Sequence, residues 1–397
     1  MHPKQLASAT CRQGITIITP EKRQKRDNNM PFNLLKHAFI LLFIALSLCL
    51  SLPGSAATHA AAKPGEWWNL PYPEPFDATT LSRQQSTIHV SGNRLVDNKG
   101  ETITLRGVNI SDPDKLVKNG HWEKAHFVAA KSFGANVIRV PVHPIAWRSR
   151  GGEHYLELLD QAVHWANELD MYLIIDWHSI GNLHTGLFQH PMYDTNLQET
   201  RGFWRTIAAR YKGVPTIAVY ELFNEPTKMG GQLGELSWTT WKAINEDLID
   251  IIFAHDPSAI PLVAGFNWAY DLRSARENPI ARKGIAYAAH PYPEKTRAPV
   301  AQKAADWEQT WGFIAKRAPL IATELGWMRE GEPGAHVPVR DDGSYGPAIV
   351  KYLEKIGASW TVWCFDPDWP PQMIADWQYT PTEQGKFFRK EMLRMNK

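Results

Sequence analysis

The stretch VYELFNEPTK, residues 219–228, runs apolar and aromatic, then ends in an amide, an acid and a proline. A second run, PLIATELGW at 319–327, carries an acid near its end, Glu324. Burying an unpaired charge is costly, so neither acid belongs in an ordinary core strand. Glu225 and Glu324 instead predict a shared polar pocket. Two carboxylic acids flanking one bond are what glycoside hydrolysis uses. One gives its proton to the leaving oxygen, and the other, ionised, attacks the anomeric carbon. Arg139, in NVIRVPV at 136–142, is expected to keep Glu324 charged. Glu225, shielded by aromatic walls, is expected to hold its proton longer.

Other polar residues sit at the ends of similar runs. They are His143 after Val142, Asp176-Trp177-His178, Asn224 before Glu225, His290-Pro291-Tyr292, and Trp363 in SWTVWCFDP. Glu221 shares the parity of Glu225 but lies four residues earlier, about 13 Å deeper along a strand. It is expected to be a structural acid with Arg106 or a histidine as partner. His178, His184 and His190 recur at a spacing of six, which matches no usual zinc pattern, and no metal is predicted. Trp165, Trp204, Trp241 and Trp311 fall in helical patterns and are expected in the core. Trp147, Trp268, Trp327 and Trp369 fall near loops and are candidate sugar platforms, with Asp366 and Asp368 as possible contacts to a distal sugar.

The elements that must position these groups alternate. Apolar, β-branched runs occur at 103–109, 136–142, 172–178, 216–225, 260–268, 284–292, 319–327 and 359–367. Helical patterns fill the gaps; the clearest is 154–170, with Leu156, Leu159, Val163 and Ala166 on one face. The weakest lies between the fifth and sixth strands. Eight strand–helix units predict parallel pairing with right-handed crossovers and closure into a (β/α)8 TIM barrel. In that fold sites lie at the C-terminal strand ends, where the polar residues collect. An open doubly wound sheet is disfavoured, since no Gly-rich phosphate loop follows the first strand. A hairpin turning at Ser91-Gly92-Asn93 precedes the barrel.

The chain has 397 residues, 44% apolar and 21% charged, ordinary for a globular protein. Its formal charge of +2 comes from the N-terminus, where residues 1–57 hold seven Lys/Arg against two Asp/Glu. The remainder is slightly acidic, which argues against a nucleic-acid partner. Basic residues 22–26 and Lys36 precede the uncharged run Ala38–Leu52, and SAATHAAA follows. This pattern predicts an export signal, too short for a membrane span of about 20 residues. The organisation expected is a leader at 1–57, an irregular segment at 58–85 and a catalytic barrel at 86–397. Cleavage would leave Cys364 as the single cysteine, without an intrachain disulfide.

On these motifs the chain resembles glycoside hydrolase family 5, over roughly residues 86–397. The resemblance implies Glu324 as nucleophile and Glu225 as acid/base, with Arg139 bracing the nucleophile. It implies Asn224 on the sugar 2-hydroxyl, His178, His290 and Tyr292 as further substrate-binding positions, and Trp363 as the floor under the cleaved sugar. A cis peptide from Trp363 to Cys364 is also implied. The stretch TELGW around Glu324 and the cysteine after Trp363 vary from common forms without removing a catalytic group. The activity implied is retaining cleavage of β-1,4-glucan, without cofactor, by a secreted or periplasmic monomer acting on a polysaccharide or oligosaccharide and not held at a membrane once the signal is cleaved.

Overall fold

Runs of apolar residues without alternation belong to strands buried on both faces. In the computed structural model, which describes residues 66–227 and 231–396, the eight runs are such strands. They are β1 (Arg106–Asn109), β2 (Val137–Val142), β3 (Tyr172–Trp177), β4 (Ile217–Glu221), β5 (Pro261–Ala264), β6 (Ala286–Ala288), β7 (Leu320–Leu325) and β8 (Ser359–Val362). Each pairs in parallel with its neighbours in sequence, and β8 pairs with β1, closing the (β/α)8 barrel that the alternation predicts. Leu173, Ile174, Ile175 and Trp177 of β3 are all buried. Each such side chain stabilises the fold by about 1.5–3 kcal/mol relative to exposure.

Seven longer helices pack outside: α1 (Lys124–Ser132), α2 (Gly152–Glu168), α3 (Leu197–Arg210), α4 (Trp238–His255), α5 (Val300–Thr310), α6 (Tyr345–Ile356) and α7 (Glu383–Met395). In α2 the four residues expected on one face are buried. Side-chain caps fix several starts: Asn196 accepts from Glu199 N, Ser237 from Thr240 N and Thr382 from Gly385 N. The gap between β5 and β6 holds a left-handed turn at 267–269 and a single four-residue helix, Ser274–Glu277, matching the weak pattern there.

Several strands end earlier than their runs, the sixth at Ala288 and the eighth at Val362, and two of the early stops shape the site. The fifth run is a strand only to Ala264, and residues 267–269 turn left-handed. The fourth stops at Glu221, before Asn224-Glu225 and not at Pro226. Beyond it Glu225–Pro226 pairs with Ile180–Gly181, in the loop leaving β3.

The hairpin joins His89–Ser91 to Arg94–Val96 through a turn at Gly92-Asn93. Residues 66–85 run irregularly over the helices: Phe76 N donates to Arg210 O, and Asn167 bonds both backbone groups of Arg83. The leader run Ala38–Leu52 and its cleavage region lie outside the described residues. Among the described residues no helix is long and apolar enough to cross a membrane.

Candidate active site

Arg139, fully buried at the centre of β2, organises the mouth of the barrel. Its Nε donates to Glu221 Oε2 at 2.6 Å. Nη1 donates to Asn109 Oδ1 at 2.9 Å and to Glu324 Oε1 at 3.0 Å. Nη2 donates to Asn224 Oδ1 at 2.7 Å and lies 3.0 Å from Asp176 Oδ2. A planar five-donor fork suits this task; a lysine could not reach so many acceptors. Glu221 is therefore partnered by Arg139 and Thr323, whose hydroxyl donates to Oε1 at 2.9 Å. The expected partner Arg106 instead pairs with Glu354 at 2.7 Å. The histidine expectation is nearer the mark, since His290 Nε2 lies 3.7 Å from Glu221 Oε1.

Glu225 and Glu324 meet at the floor of a cleft of about 1060 Å³. Backbone pairing places Glu225: Asn224 N donates to Trp177 O, and Glu225 N to Ser179 O. Glu324 lies where the register between β7 and β8 shifts between Ala322 and Leu325. Such an irregularity re-aims side chains, and here consecutive residues Thr323 and Glu324 both enter the polar network. His290 Nδ1 sits between the acids, 2.9 Å from Glu225 Oε1 and 3.6 Å from Glu324 Oε2. Tyr292 OH donates to Glu324 Oε2 at 2.9 Å. His178 Nδ1 bonds Asp176 Oδ2 at 2.6 Å, and its ring stacks on Trp363 at 5.4 Å with 6° between planes. The Trp363–Cys364 peptide is cis, as the resemblance implies. Six of the eight predicted site residues line this cleft, and Arg139 and His290 lie buried beneath it, bonded to its two acids.

Asn224 offers the cleft a donor. Its Oδ1 is taken by Arg139, and its Nδ2 is buried without a partner. Buried donors are normally satisfied, so Nδ2 is set to donate to a hydroxyl entering the cleft. Among the described residues, one group has ligand atoms close enough to hold a metal ion: Glu225, His290 and Glu324, within 4.8 Å of one another. It coincides with the carboxylate pair.

The electrostatics overturn the expectation that Glu225 holds its proton longer. Burial raises Glu225, but the hydrogen bond and charge of His290, with Lys295 and Arg139, outweigh it, so the group lies below the ordinary value. Burial raises Glu324 more than His290 and Arg139 lower it, and the Glu225 charge adds to the rise. Burial would depress His290, but Glu324, Glu221 and Glu225 push it up to about 9. Thr323 gives its proton to Glu221, so His290 Nε2–H donates to the Thr323 oxygen at 3.0 Å. The proton expected on Glu225 then rests on His290 Nδ1, 2.9 Å away, throughout the neutral range. His178 is neutral: burial, His143, Arg139 and His290 all hold it far below its usual value.

The other candidates divide. Trp268 and Trp369 line the cleft. Trp327 is buried against Tyr345, Phe387 and Phe388, and Trp147 packs on Tyr155 and Phe203 beside a different groove. Both were expected at the mouth; Trp147 instead lies in the short helix Pro144–Arg150 and packs onto α2 and α3, and Trp327 turns back onto α6 and α7. Asp366 is fully buried and bound by Lys115 at 2.6 Å and by Ser111, so it is not free for sugar, and Asp368 also pairs with Lys115. His143 is fixed through Nδ1 to Asp112 and lies behind His178; His184 and His190 are exposed. Sequence reasoning missed Asn109, Thr323, Lys295 and Tyr193, the last of which lines the cleft. Asn109 had a signal, a polar residue ending the first strand. The others had none.

Comparison with known proteins accords with this geometry. Residues 96–368 match the family model described as cellulase, glycosyl hydrolase family 5. An endoglucanase of Paenibacillus polymyxa is 24% identical over 345 residues, 73% of this chain and 83% of that protein. The chain spans about half the length of several other endoglucanases it matches. The crystal structure of a β-glucanase from Saccharophagus degradans is 56% identical and covers 83% of this chain and 99% of its own, with a TM-score of 0.81. The same β-glucanase in complex with cellotetraose is 55% identical over 84% of this chain and all of that one, again with a TM-score of 0.81. With the family model matched over most of the barrel, the chain belongs to glycosyl hydrolase family 5, the cellulase family.

Proposed function

We propose that the protein is an endo-β-1,4-glucanase that cleaves with retention of anomeric configuration. The observation that carries the mechanism is the short carboxylate spacing, with oxygens of Glu225 and Glu324 within 4.8 Å of each other. Retaining enzymes hold their acids about 5–5.5 Å apart, whereas inverting enzymes need roughly 6.5–9.5 Å to admit a water. In this reading Glu324, steadied by Arg139 and Tyr292, attacks the anomeric carbon. Glu225 gives a proton to the glycosidic oxygen, drawn from the Glu225–His290 contact. The same carboxylate then takes a proton from the water that hydrolyses the glycosyl–enzyme.

Cellotetraose binding by the Saccharophagus relative supports a β-glucan substrate. So do the aromatic walls of the cleft, since β-1,4-linked glucose presents flat apolar faces. Asn224 Nδ2 suits an equatorial 2-hydroxyl; an axial one, as in mannose, displaces that partner, and such sites discriminate strongly. The leader supports an exported protein, and N-terminal sequencing of the form outside the cytoplasm tests that point. Proton NMR of early products on cello-oligosaccharides should show the β-anomer first, and the viscosity of soluble cellulose should fall faster than reducing ends appear. An initial α-anomer burst, or a higher kcat/KM on mannan than on every glucan, would defeat the reading.

A further inference from the structure

The turn after β5 holds the one run of consecutive non-glycine residues at positive φ among the described residues. Asn267, Trp268 and Ala269 have φ of 58°, 56° and 56°. Side chains with a Cβ avoid this region, and a run of three persists only where the surroundings over-determine it. Two backbone bonds between Phe266 and Asp271 close the turn, and His290 N donates to Ala269 O at 2.9 Å. The remaining restraints come from side chains in the cleft. Lys295 Nζ donates to Asn267 O at 3.0 Å and to Trp268 O at 3.3 Å, and lies 5.2 Å from the centre of the Trp268 ring. Trp268 Nε1 donates to Gln189 Oε1 at 2.9 Å.

Lys295 is an unusual choice for a clamp. It is three residues beyond Tyr292, and among the described residues no carboxylate lies within 4.0 Å of its ammonium. Burial lowers Lys295 overall, although Glu225 and Glu324 favour its charged form, and its charge in turn favours ionised Glu225. The turn it holds packs against Glu225–Pro226. Trp369 marks the opposite side, 6.0 Å from Trp363 and beside His143. In glycoside cleavage the acid protonates the oxygen that departs with the leaving-group sugar. A platform fixed beside Glu225 therefore faces the leaving group, and one beyond Trp363 faces the sugar that stays.

On the glucanase reading Trp268 stands under the leaving-group sugar, and we propose that Lys295 is a positioning residue, locking the left-handed turn so that this platform and the acid Glu225 act on the same glycosidic bond. This rests on the glucanase reading with Glu225 as acid. It explains a strained turn at a cleft wall as pre-organisation, which lowers the cost of ordering a bound sugar.

The test compares cellopentaose with 2,4-dinitrophenyl β-cellobioside, whose leaving group needs neither acid nor sugar platform, using the full-length enzyme. Trp268→Ala should lower kcat/KM on cellopentaose about ten- to a hundredfold, at least tenfold more than on the aryl glycoside. Trp369→Ala should lower both alike. Lys295→Met should follow Trp268→Ala and move the alkaline limb of the cellopentaose pH profile upward, because the cation that favours ionised Glu225 is gone. The charged and titratable groups that remain around Glu225 are His290, Glu324, Tyr292, Tyr193 and Arg139. Lys295→Arg should restore most activity and the original limb, which a filler of space would not require. Gln189→Leu frees only the indole N–H of Trp268 and should show the same substrate bias even if Trp268→Ala misfolds. Equal losses on both substrates for Lys295→Met and Gln189→Leu, or an arginine variant no better than the methionine one, overturn the inference while leaving the glucanase reading intact. A wild-type enzyme that cleaves neither substrate overturns both.

Discussion

Glu225 and Glu324 differ less in depth than in what touches them. Glu324 has Arg139 and Tyr292, while Glu225 has one imidazole and an oxygen facing the cleft. Glu324→Gln should abolish turnover while leaving the melting curve that of a folded barrel. Glu225→Ala should cut activity on unactivated glucan by about 10²–10⁴-fold, the usual contribution of a general acid. On aryl glycosides with good leaving groups, added azide should restore turnover and yield a β-glycosyl azide; full activity on glucan without Glu225 would refute its role. His290 makes a second prediction. Burial alone would depress it, but three surrounding carboxylates raise it to about 9 from an ordinary value near 6.5. A histidine raised on folding contributes stability that is full below about pH 6.5 and lost as pH rises through about 9, here at most ~3 kcal/mol. The melting temperature of the wild type should therefore fall more steeply between pH 7 and 9.5 than that of His290→Asn, as followed by circular dichroism.

At the scale of elements, the irregularity in β7 matters as much as the strand. A regular strand sends successive side chains to opposite faces. Here Thr323 and Glu324 both join the network below the cleft, Thr323 between Glu221 and His290, and Glu324 against Arg139. Thr323→Val keeps the shape but leaves a buried carboxylate oxygen short of a donor, a loss of about 1–3 kcal/mol. Thermal unfolding should show a melting temperature lower by several degrees, with the pH optimum moved because Glu221 and His290 lose their bridge. An unchanged melting temperature and profile would mean that the bridge is not made. In the same way Glu225 depends on the loop after β3, whose Ser179 carbonyl accepts its N–H.

Across the whole molecule, the irregular segment before the hairpin is fastened at Asn167, a buried side chain at the end of α2. Its amide bonds Arg83 N and O at 2.9 and 3.0 Å and Gln85 Oε1 at 3.0 Å. Arg205 adds a bond to Leu70 O at 2.8 Å and stacks on Tyr72 at 3.7 Å. Asn167→Ala should release residues 66–85 first. Limited proteolysis should cut there faster than in wild type, with about 1–3 kcal/mol lost for each buried polar group left unpaired. Proteolysis no faster than wild type would show that the fastening lies elsewhere.

The barrel and the eight converging residues were legible in the sequence for a local reason. A strand buried on both faces needs an unbroken apolar run, and a polar residue at its end announces a site, so each unit carries its own signal. The same reasoning failed wherever a partner came from a distant part of the chain. Parity along one strand placed Glu221 far beneath Glu225, but the chain leaves the barrel between them, and both contact His290. Trp147 and Trp327 read like Trp268 and Trp369, and only packing on Phe203 and on Phe388 took them away from the cleft. The run of left-handed residues at 267–269 has no glycine to announce it, because Lys295 and His290, more than twenty residues later, hold it. The rise of His290 and the lowering of Glu225 were likewise decided by the fold: they follow from the fields of Arg139, Glu221, Glu324 and Lys295, which no single stretch of sequence contains.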